Sequence, residues 1–131
     1  MKVTFTNFSG LKIIQSKTYK DNRGFVKESY KQKNFKNKDF IFGIISSSKK
    51  NVVRGLHLQT KFKQAKYISV LKGAILDVVL DLRKESKTFG KHFKVILSAN
   101  NDKSLFIPAG FAHGFLALKK ENIVYYKFIY K

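Results

Sequence analysis

The chain has 131 residues, 44% of them hydrophobic, and carries a formal net charge of +19 at pH 7 without a single cysteine. This length and composition are typical of one folded domain with its own core, here residues 1–131, and they exclude a disordered polymer. The lack of cysteine excludes disulfides, thiolate nucleophiles and cysteine-based zinc sites.

Short strand-like runs recur along the whole chain, rich in Val, Ile, Phe and Tyr and separated by Gly, Asn, Asp and Ser. No segment has helical periodicity over three turns, although the polar stretch Lys31–Asp39 is expected to hold one turn. Many short strands predict an all-β fold, and a jelly-roll barrel closes this number economically. The predicted strands are Val3–Phe8, Leu11–Ile14, Gly24–Tyr30, Phe40–Ile45, Val52–Leu58, Tyr67–Leu71, Ala74–Leu80, His92–Leu97, Leu105–Ile107, Phe115–Leu118 and Ile123–Tyr130.

The positive charge is mostly lysine, since only three of the 27 basic residues are arginines. The lysines are scattered over nearly every segment, and arginine is the residue expected at base edges. We therefore expect a solvated surface that attracts small anions, with no specific nucleic acid and no membrane as partner. Residues 1–10 lack the apolar core of a signal peptide, and no apolar run approaches the ~20 residues that span a bilayer. A cytoplasmic location is expected.

Two of the three histidines lie in apolar, glycine-containing runs, Val53–Gln59 and Ile107–Phe115. Glycines of this kind end or bend a strand. We expect the two runs to line one cavity inside the barrel. His57 is the candidate general base, because imidazole titrates near neutral pH.

The spacing of these runs resembles the two halves of the cupin motif, so the expected fold is a cupin-type double-stranded β-helix. Metal-binding cupins offer His-x-His and then a glutamate in the first half. Here Gln59 replaces the second histidine, and residues 61–66 contain no glutamate. Two imidazoles without a carboxylate make a poor metal site, so neither a metal nor another cofactor is expected.

Seven motifs in order resemble one metal-free cupin family, the dTDP-4-dehydrorhamnose 3,5-epimerases. The resemblance runs from about residue 11 to the end of the sequence. The motifs begin at Asp21 (Asp-x-Arg-Gly-Phe-x-x-Glu), Arg54 (Arg-Gly-Leu-His-x-Gln), Gln64 (Gln-Ala-Lys), Asp77 (Asp-Val-Val-Leu-Asp-Leu-Arg), Ser86 (Ser-Lys-Thr-Phe-Gly), Ile107 (Ile-Pro-x-Gly-Phe-Ala-His-Gly-Phe) and Tyr126 (Tyr-Lys).

Epimerisation beside a ketone needs a base, a group that stabilises the enolate and an acid on the opposite face. His57 suits the base, Lys66 the stabilising cation and Tyr126 the acid, and the family assigns these matching positions the same roles. Strand alternation sends only one of Tyr125 and Tyr126 inward, and a one-residue slip of register would present Tyr125 instead.

The resemblance also implies substrate-binding residues for a dTDP-sugar. Arg54 and His113 match positions that contact the sugar and diphosphate, and Gln59 belongs to the same motif. Arg23 and Glu28 match a pair that receives the nucleotide from the neighbouring subunit of a homodimer. A purely structural role is the alternative for His113.

Several side chains are expected to support the site or the strands around it. Asp77 and Asp81 fall on one face of their strand, so an inward carboxylate could hold His113. The alternative is that one of them caps the strand end. Arg83 is expected to serve structure at that strand exit, and His92 is expected to be exposed.

The sequence departs from the family in two ways. It is expected to lack a C-terminal segment that carries the aspartate partner of the catalytic histidine. Phe42, Gly43 and Ile44 replace a stretch that usually presents a Gln/Asn pair to the ligand. The expected activity is inversion of carbons 3 and 5 of a dTDP-4-keto-6-deoxyhexose. Alternatives are a non-catalytic or impaired nucleotide-sugar-binding cupin and a sugar 3,4-ketoisomerase, against which Gln59 argues.

Overall fold

A computed structural model of the chain describes residues 1–35, 39–58 and 64–130. The described residues form twelve strands and one 3₁₀ turn, Gln32–Phe35, which confirms the all-β prediction and the single turn in Lys31–Asp39. The strands are Lys2–Phe5 (β1), Lys12–Gln15 (β2), Thr18–Asp21 (β3), Gly24–Lys27 (β4), Phe42–Lys49 (β5), Val53–His57 (β6), Gln64–Lys72 (β7), Ala74–Asp81 (β8), His92–Ser98 (β9), Lys103–Ile107 (β10), Phe111–Ala117 (β11) and Glu121–Tyr130 (β12).

The strands form two antiparallel sheets and a separate hairpin. The six-stranded sheet has the order β1-β2-β10-β7-β12-β5, and the four-stranded sheet has the order β6-β11-β8-β9. β3 and β4 pair only with each other. β5 and β6 are consecutive in the chain but lie at the edges of different sheets, so the connection between them joins the two layers.

The main core lies between the two sheets and draws on both. Ile68 and Val70 of β7 pack with Ile75 and Val79 of β8 and with Phe115 of β11, all of them buried. Alternation along β8 sends Ile75 and Val79 to this core. Burial of such side chains contributes roughly 1.5–3 kcal/mol each, and this stabilises the stacked arrangement.

A second core covers the outer face of the six-stranded sheet. The 3₁₀ turn places Phe35 against Tyr67, with ring centroids 5.1 Å apart. The Tyr67 hydroxyl donates a hydrogen bond to the carbonyl of Ser29 at 3.0 Å. Both faces of β7 are therefore buried between Tyr67 and Val70, and three of these four residues are apolar or aromatic.

Several predicted strands differ from the observed ones in their bounds, and two differences change the description of the fold. β3, Thr18–Asp21, was not predicted, because this short, mostly exposed strand of a two-stranded hairpin has no apolar alternation to reveal it. β11 begins at Phe111 rather than Phe115, so His113 lies inside a strand and not before one. No helix in the described part of the chain combines the length and apolar character needed to cross a membrane.

Asp81 organises the exit of β8, as the strand-cap prediction proposed. Its carboxylate accepts hydrogen bonds from Arg83 Nε at 2.9 Å and from Ser86 Oγ at 2.7 Å, and Thr88 donates to it as well. Burial alone would raise the pKa of Asp81, but the hydrogen bonds from Arg83, Thr88 and Ser86 outweigh it and hold that pKa far below its usual range.

Replacing Asp81 by asparagine is expected to lower the free energy of unfolding by about 2–3 kcal/mol at neutral pH, because a buried acceptor of several hydrogen bonds is lost. The folded-state pKa lies below the unfolded value of about 4. The stabilisation is therefore complete above that unfolded value and is lost as the pH falls towards the folded pKa. Urea unfolding of both proteins near neutral pH and at about pH 3 measures the loss and its pH dependence.

Asp21→Asn is the matched control. Asp21 also pairs with the arginine two residues on, Arg23, but the two side chains are 50% and 87% exposed. No change in urea midpoint is expected for an exposed pair. Equal losses in the two variants would contradict the role given to burial.

Candidate active site

A cleft of about 500 Å³ opens between the edges of the two sheets. Strands β5, β7 and β12 supply one wall from the six-stranded sheet, and β6 and β11 supply the other. The wall residues are Ile44, Ser46, Val53, Arg54, Gly55, His57, Lys66, His113, Gly114, Phe115, Tyr126 and Phe128. Five of the nine residues predicted for the site therefore meet in one cleft.

Glycines allow β6 and β11 to approach closely beside this cleft. Gly55 has φ +95°, and a Cβ there would lie 2.5 Å from the His113 carbonyl oxygen. A Cβ on Gly114 would lie 2.6 Å from the carbonyl oxygen of Arg54. The close approach pairs His57 directly with His113 across the two strands, with a shift of register just beyond.

His57 ends β6 with an exposed side chain that lines the cleft. No described residue makes a hydrogen bond to its ring. The imidazole is therefore open to a ligand that enters the cleft.

His113 lines the cleft and forms a buried pair with Asp77, which lies behind it. His113 Nε2 and Asp77 Oδ1 are 2.7 Å apart, and the two side chains are 4% and 0% exposed. The second oxygen of Asp77 is also buried and has no hydrogen-bond partner among the described residues. The structure thus places the inward carboxylate of β8 against His113, as strand alternation predicts.

Lys66 of β7 enters the cleft from the opposite sheet. Its ammonium nitrogen lies 5.9 Å from the centre of the Phe128 ring. Burial lowers the pKa of Lys66, and the negative charge of Asp77 offsets part of that decrease. A partly desolvated cation of this kind interacts strongly with a developing negative charge.

Tyr126 of β12 lines the same wall of the cleft as Lys66. Its hydroxyl is 3.3 Å from Ser46 Oγ, and its ring centroid is 6.4 Å from that of His113. Burial raises the pKa of Tyr126, so the phenol keeps its proton at neutral pH. Tyr125 does not line the cleft; its ring covers Gly43 instead, so Tyr126 is the one of the two tyrosines that faces the cleft.

Arg54 is fixed by β5, the neighbouring edge strand. Its Nε donates to Ser48 Oγ at 2.8 Å, and a terminal nitrogen donates to the Ser47 carbonyl at 3.2 Å. Sequence reasoning missed the contribution of Ser46 and Ser48. The available signal was strand alternation, which places both on the inward face of β5 with Ile44.

The remaining predicted site residues lie elsewhere. Arg23 pairs with Asp21, and Glu28 pairs with Lys31 at 2.9 Å; neither lines the cleft of its own chain. Gln59 lies outside the described residues. His92 on β9 is exposed, as expected. The described residues contain no cluster of three or more His, Cys, Asp and Glu side chains that could hold a metal ion.

The fold and this cleft define a jelly-roll protein whose site combines an imidazole, a phenol and an ammonium group, a set suited to proton transfer. The model of the dTDP-4-dehydrorhamnose 3,5-epimerase family matches residues 5–130. The chain therefore belongs to that family, as the seven motifs predicted.

Similar proteins come from bacteria and an archaeon. A dTDP-4-dehydrorhamnose 3,5-epimerase of Methanothermobacter thermautotrophicus is 43% identical over 93% of this chain and 68% of its own length. One from Salmonella typhimurium is 42% identical over 100% of this chain and 73% of its own.

Solved structures of related enzymes have the same architecture, which confirms the cupin-type fold. The Legionella pneumophila epimerase in complex with dTDP-4-keto-L-rhamnose has a TM-score of 0.93 and 40% identity, over 99% of this chain and 72% of that one. The Bacillus anthracis epimerase with TDP and PPi bound has a TM-score of 0.92 and 42% identity, over 99% and 78%.

Lys66→Met is expected to raise the free energy of unfolding by about 0.5–1 kcal/mol near neutral pH, because it removes a desolvated cation and keeps the volume. The native pKa of Lys66 lies below its unfolded value, so the penalty is fully present below the native pKa. It declines as the pH rises from the native to the unfolded pKa. The gain should therefore shrink in urea unfolding experiments repeated at increasing pH.

Lys94→Met, at an exposed position on β9, is the control and is expected to give no gain. A loss of stability in Lys66→Met alone would show that Lys66 serves the fold and not the site.

Proposed function

We propose that this chain is an epimerase of a dTDP-4-keto-6-deoxyhexose that inverts carbons 3 and 5. The observation that carries the proposal is the convergence of His57 from one sheet with Lys66 and Tyr126 from the other in a single cleft. The names of the relatives agree with this assignment.

The proposed reaction moves one proton off each carbon and another on. His57 removes the proton beside the ketone, and the electrons of the C–H bond form an enolate whose oxygen faces Lys66. Tyr126 then donates a proton to the same carbon from the opposite face, which inverts the centre. The imidazolium loses its proton to water and the phenolate regains one, so the site returns to its starting state.

Substrate binding is assigned to residues around these three. Arg54, His113 and Gln59 are proposed to contact the diphosphate and sugar. Arg23 and Glu28 are proposed to reach the nucleotide in the cleft of a second copy, which makes the active form a homodimer. Neither residue lines the cleft of its own chain, which supports this arrangement. A cytoplasmic location is proposed with it.

His57→Ala is expected to reduce deuterium uptake from D₂O at both sugar carbons by about a thousandfold, because it removes the group proposed to take the proton. Proton NMR of the substrate measures the uptake. His92→Ala is the control, since His92 lies on β9, outside the cleft, and should exchange at the wild-type rate.

A well-folded wild-type protein that binds dTDP but exchanges neither carbon would contradict the proposal. That outcome would favour a nucleotide-sugar-binding protein without turnover.

Tyr126→Phe is expected to separate exchange from inversion. His57 can still remove the proton and return it to the same face, so deuterium uptake should continue while the inverted product falls by about a hundredfold. Tyr125→Phe removes the neighbouring hydroxyl outside the cleft and should leave both quantities unchanged. If Tyr125→Phe lost inversion instead, the assignment of the acid would be wrong.

A further inference from the structure

A second depression, of about 1000 Å³, lies at the end of the fold formed by three strand connections. Five lysines surround it, and together they are called the lysine end: Lys49, Lys50, Lys72, Lys119 and Lys120. They come from the β5–β6, β7–β8 and β11–β12 connections. These three connections are far apart in the sequence, and the fold brings their lysines together at one end.

Asn122 holds these three connections together. Its side chain is fully buried, and its Oδ1 accepts hydrogen bonds from the backbone nitrogens of Ala74 and Lys119, each at 3.1 Å. Its Nδ2 donates to the carbonyls of Ser48 at 3.0 Å and Lys119 at 2.7 Å. All four hydrogen-bonding positions of the amide are therefore used, and the backbone beneath the lysines is fixed.

Gly73 allows the tight packing that this requires. It has φ +79°, and a Cβ there would lie 2.3 Å from the carbonyl oxygen of Glu121. The ammonium groups therefore project from a backbone that is already ordered, which lowers the entropic cost of binding a ligand.

The positive charges of the lysine end are largely uncompensated. Glu121 is the one acidic residue among the described residues that line the depression, and it pairs with Lys72 at 3.1 Å. The other four lysines make no ion pair with any described residue. Their mutual repulsion would be relieved by a bound anion.

The remaining lining indicates which anion would fit. Ser47, Ser48 and Gly73 complete the wall, and no arginine or aromatic side chain is among the described lining residues. Base edges are read mainly by arginine and amides, and bases stack on aromatic rings. A wall of ammonium groups with the Ser47 hydroxyl instead suits phosphate groups that carry no base.

The geometry points to a binding site, separate from the catalytic cleft, for a compact anion that carries several phosphate groups. Along β12, Glu121 at the lysine end is five residues from Tyr126 in the cleft, or roughly 16 Å. The site does not depend on the proposed epimerase activity. Free polyphosphate and the phosphates of lipid head groups share the required chemistry.

The test is a titration of the protein with inorganic tripolyphosphate, followed by backbone amide NMR. Chemical shifts should change first at residues 49–51, 72–73 and 119–121. The triple variant Lys50→Gln, Lys119→Gln, Lys120→Gln leaves the Lys72–Glu121 pair intact, and its dissociation constant should rise about tenfold or more.

The control is Lys84→Gln, Lys91→Gln, Lys94→Gln, which removes the same charge from exposed positions elsewhere. Its affinity should change by less than about threefold, since distant exposed charges are screened by salt. Equal weakening of both triple variants would show attraction to net charge only and would overturn the proposal. Shifts confined to Arg54 and Lys66 would also overturn it, by placing the anion in the cleft.

Vesicles containing anionic phospholipid separate the two sources of phosphate. Local shifts with tripolyphosphate and no sedimentation with vesicles support a site for a free anion. Sedimentation that the lysine-end triple variant abolishes, without any tripolyphosphate shift, would refute a free-anion site and assign the surface to membranes.

Discussion

The hydrogen bond between Asp77 and His113 is the constraint on which the rest of the cleft depends. A fully buried carboxylate is costly unless it is paired, and at 2.7 Å the imidazole is its only partner among the described residues. The pair joins β8 to β11 on their inward faces, so a one-residue slip between these strands would separate it. Because β6 pairs with β11, the hydrogen bond between Asp77 and His113 also fixes the position at which His57 reaches the cleft.

The cleft combines a polar interior with an exposed apolar rim. Its inner part is polar and contains Lys66 and the phenol of Tyr126, and behind His113 lies a buried oxygen of Asp77 that has no hydrogen-bond partner among the described residues. Its rim is apolar and exposed at Ile44 and Val53, which are 48% and 68% exposed. Both features cost stability in the free protein. A bound sugar nucleotide would supply hydrogen-bond partners to Lys66 and Tyr126 and would cover the rim.

Much of this could be predicted from the sequence, because alternation and spacing are local. Short β-rich runs predicted the fold. Because side chains alternate along a strand, only one of Tyr125 and Tyr126 could face the cleft. The same alternation predicted that Asp77 and Asp81 share one face of their strand. Contacts between distant strands could not be predicted. The sequence around Ser48 does not indicate that its hydroxyl accepts a hydrogen bond from Arg54. The sequence around Asn122 does not indicate that its amide joins three strand connections. β3 was missed because its exposed residues carry no apolar signal.

The central claim is that the two sheets place a base and an acid on opposite faces of one bound sugar. The most direct measurement is a crystal structure of this chain with dTDP-xylose, a ligand seen with the related Streptococcus suis protein. The account predicts a pyranose ring between His57 and Tyr126, with Lys66 towards the oxygen on carbon 4. A ring bound outside the cleft, or with both side chains on the same face, would contradict it.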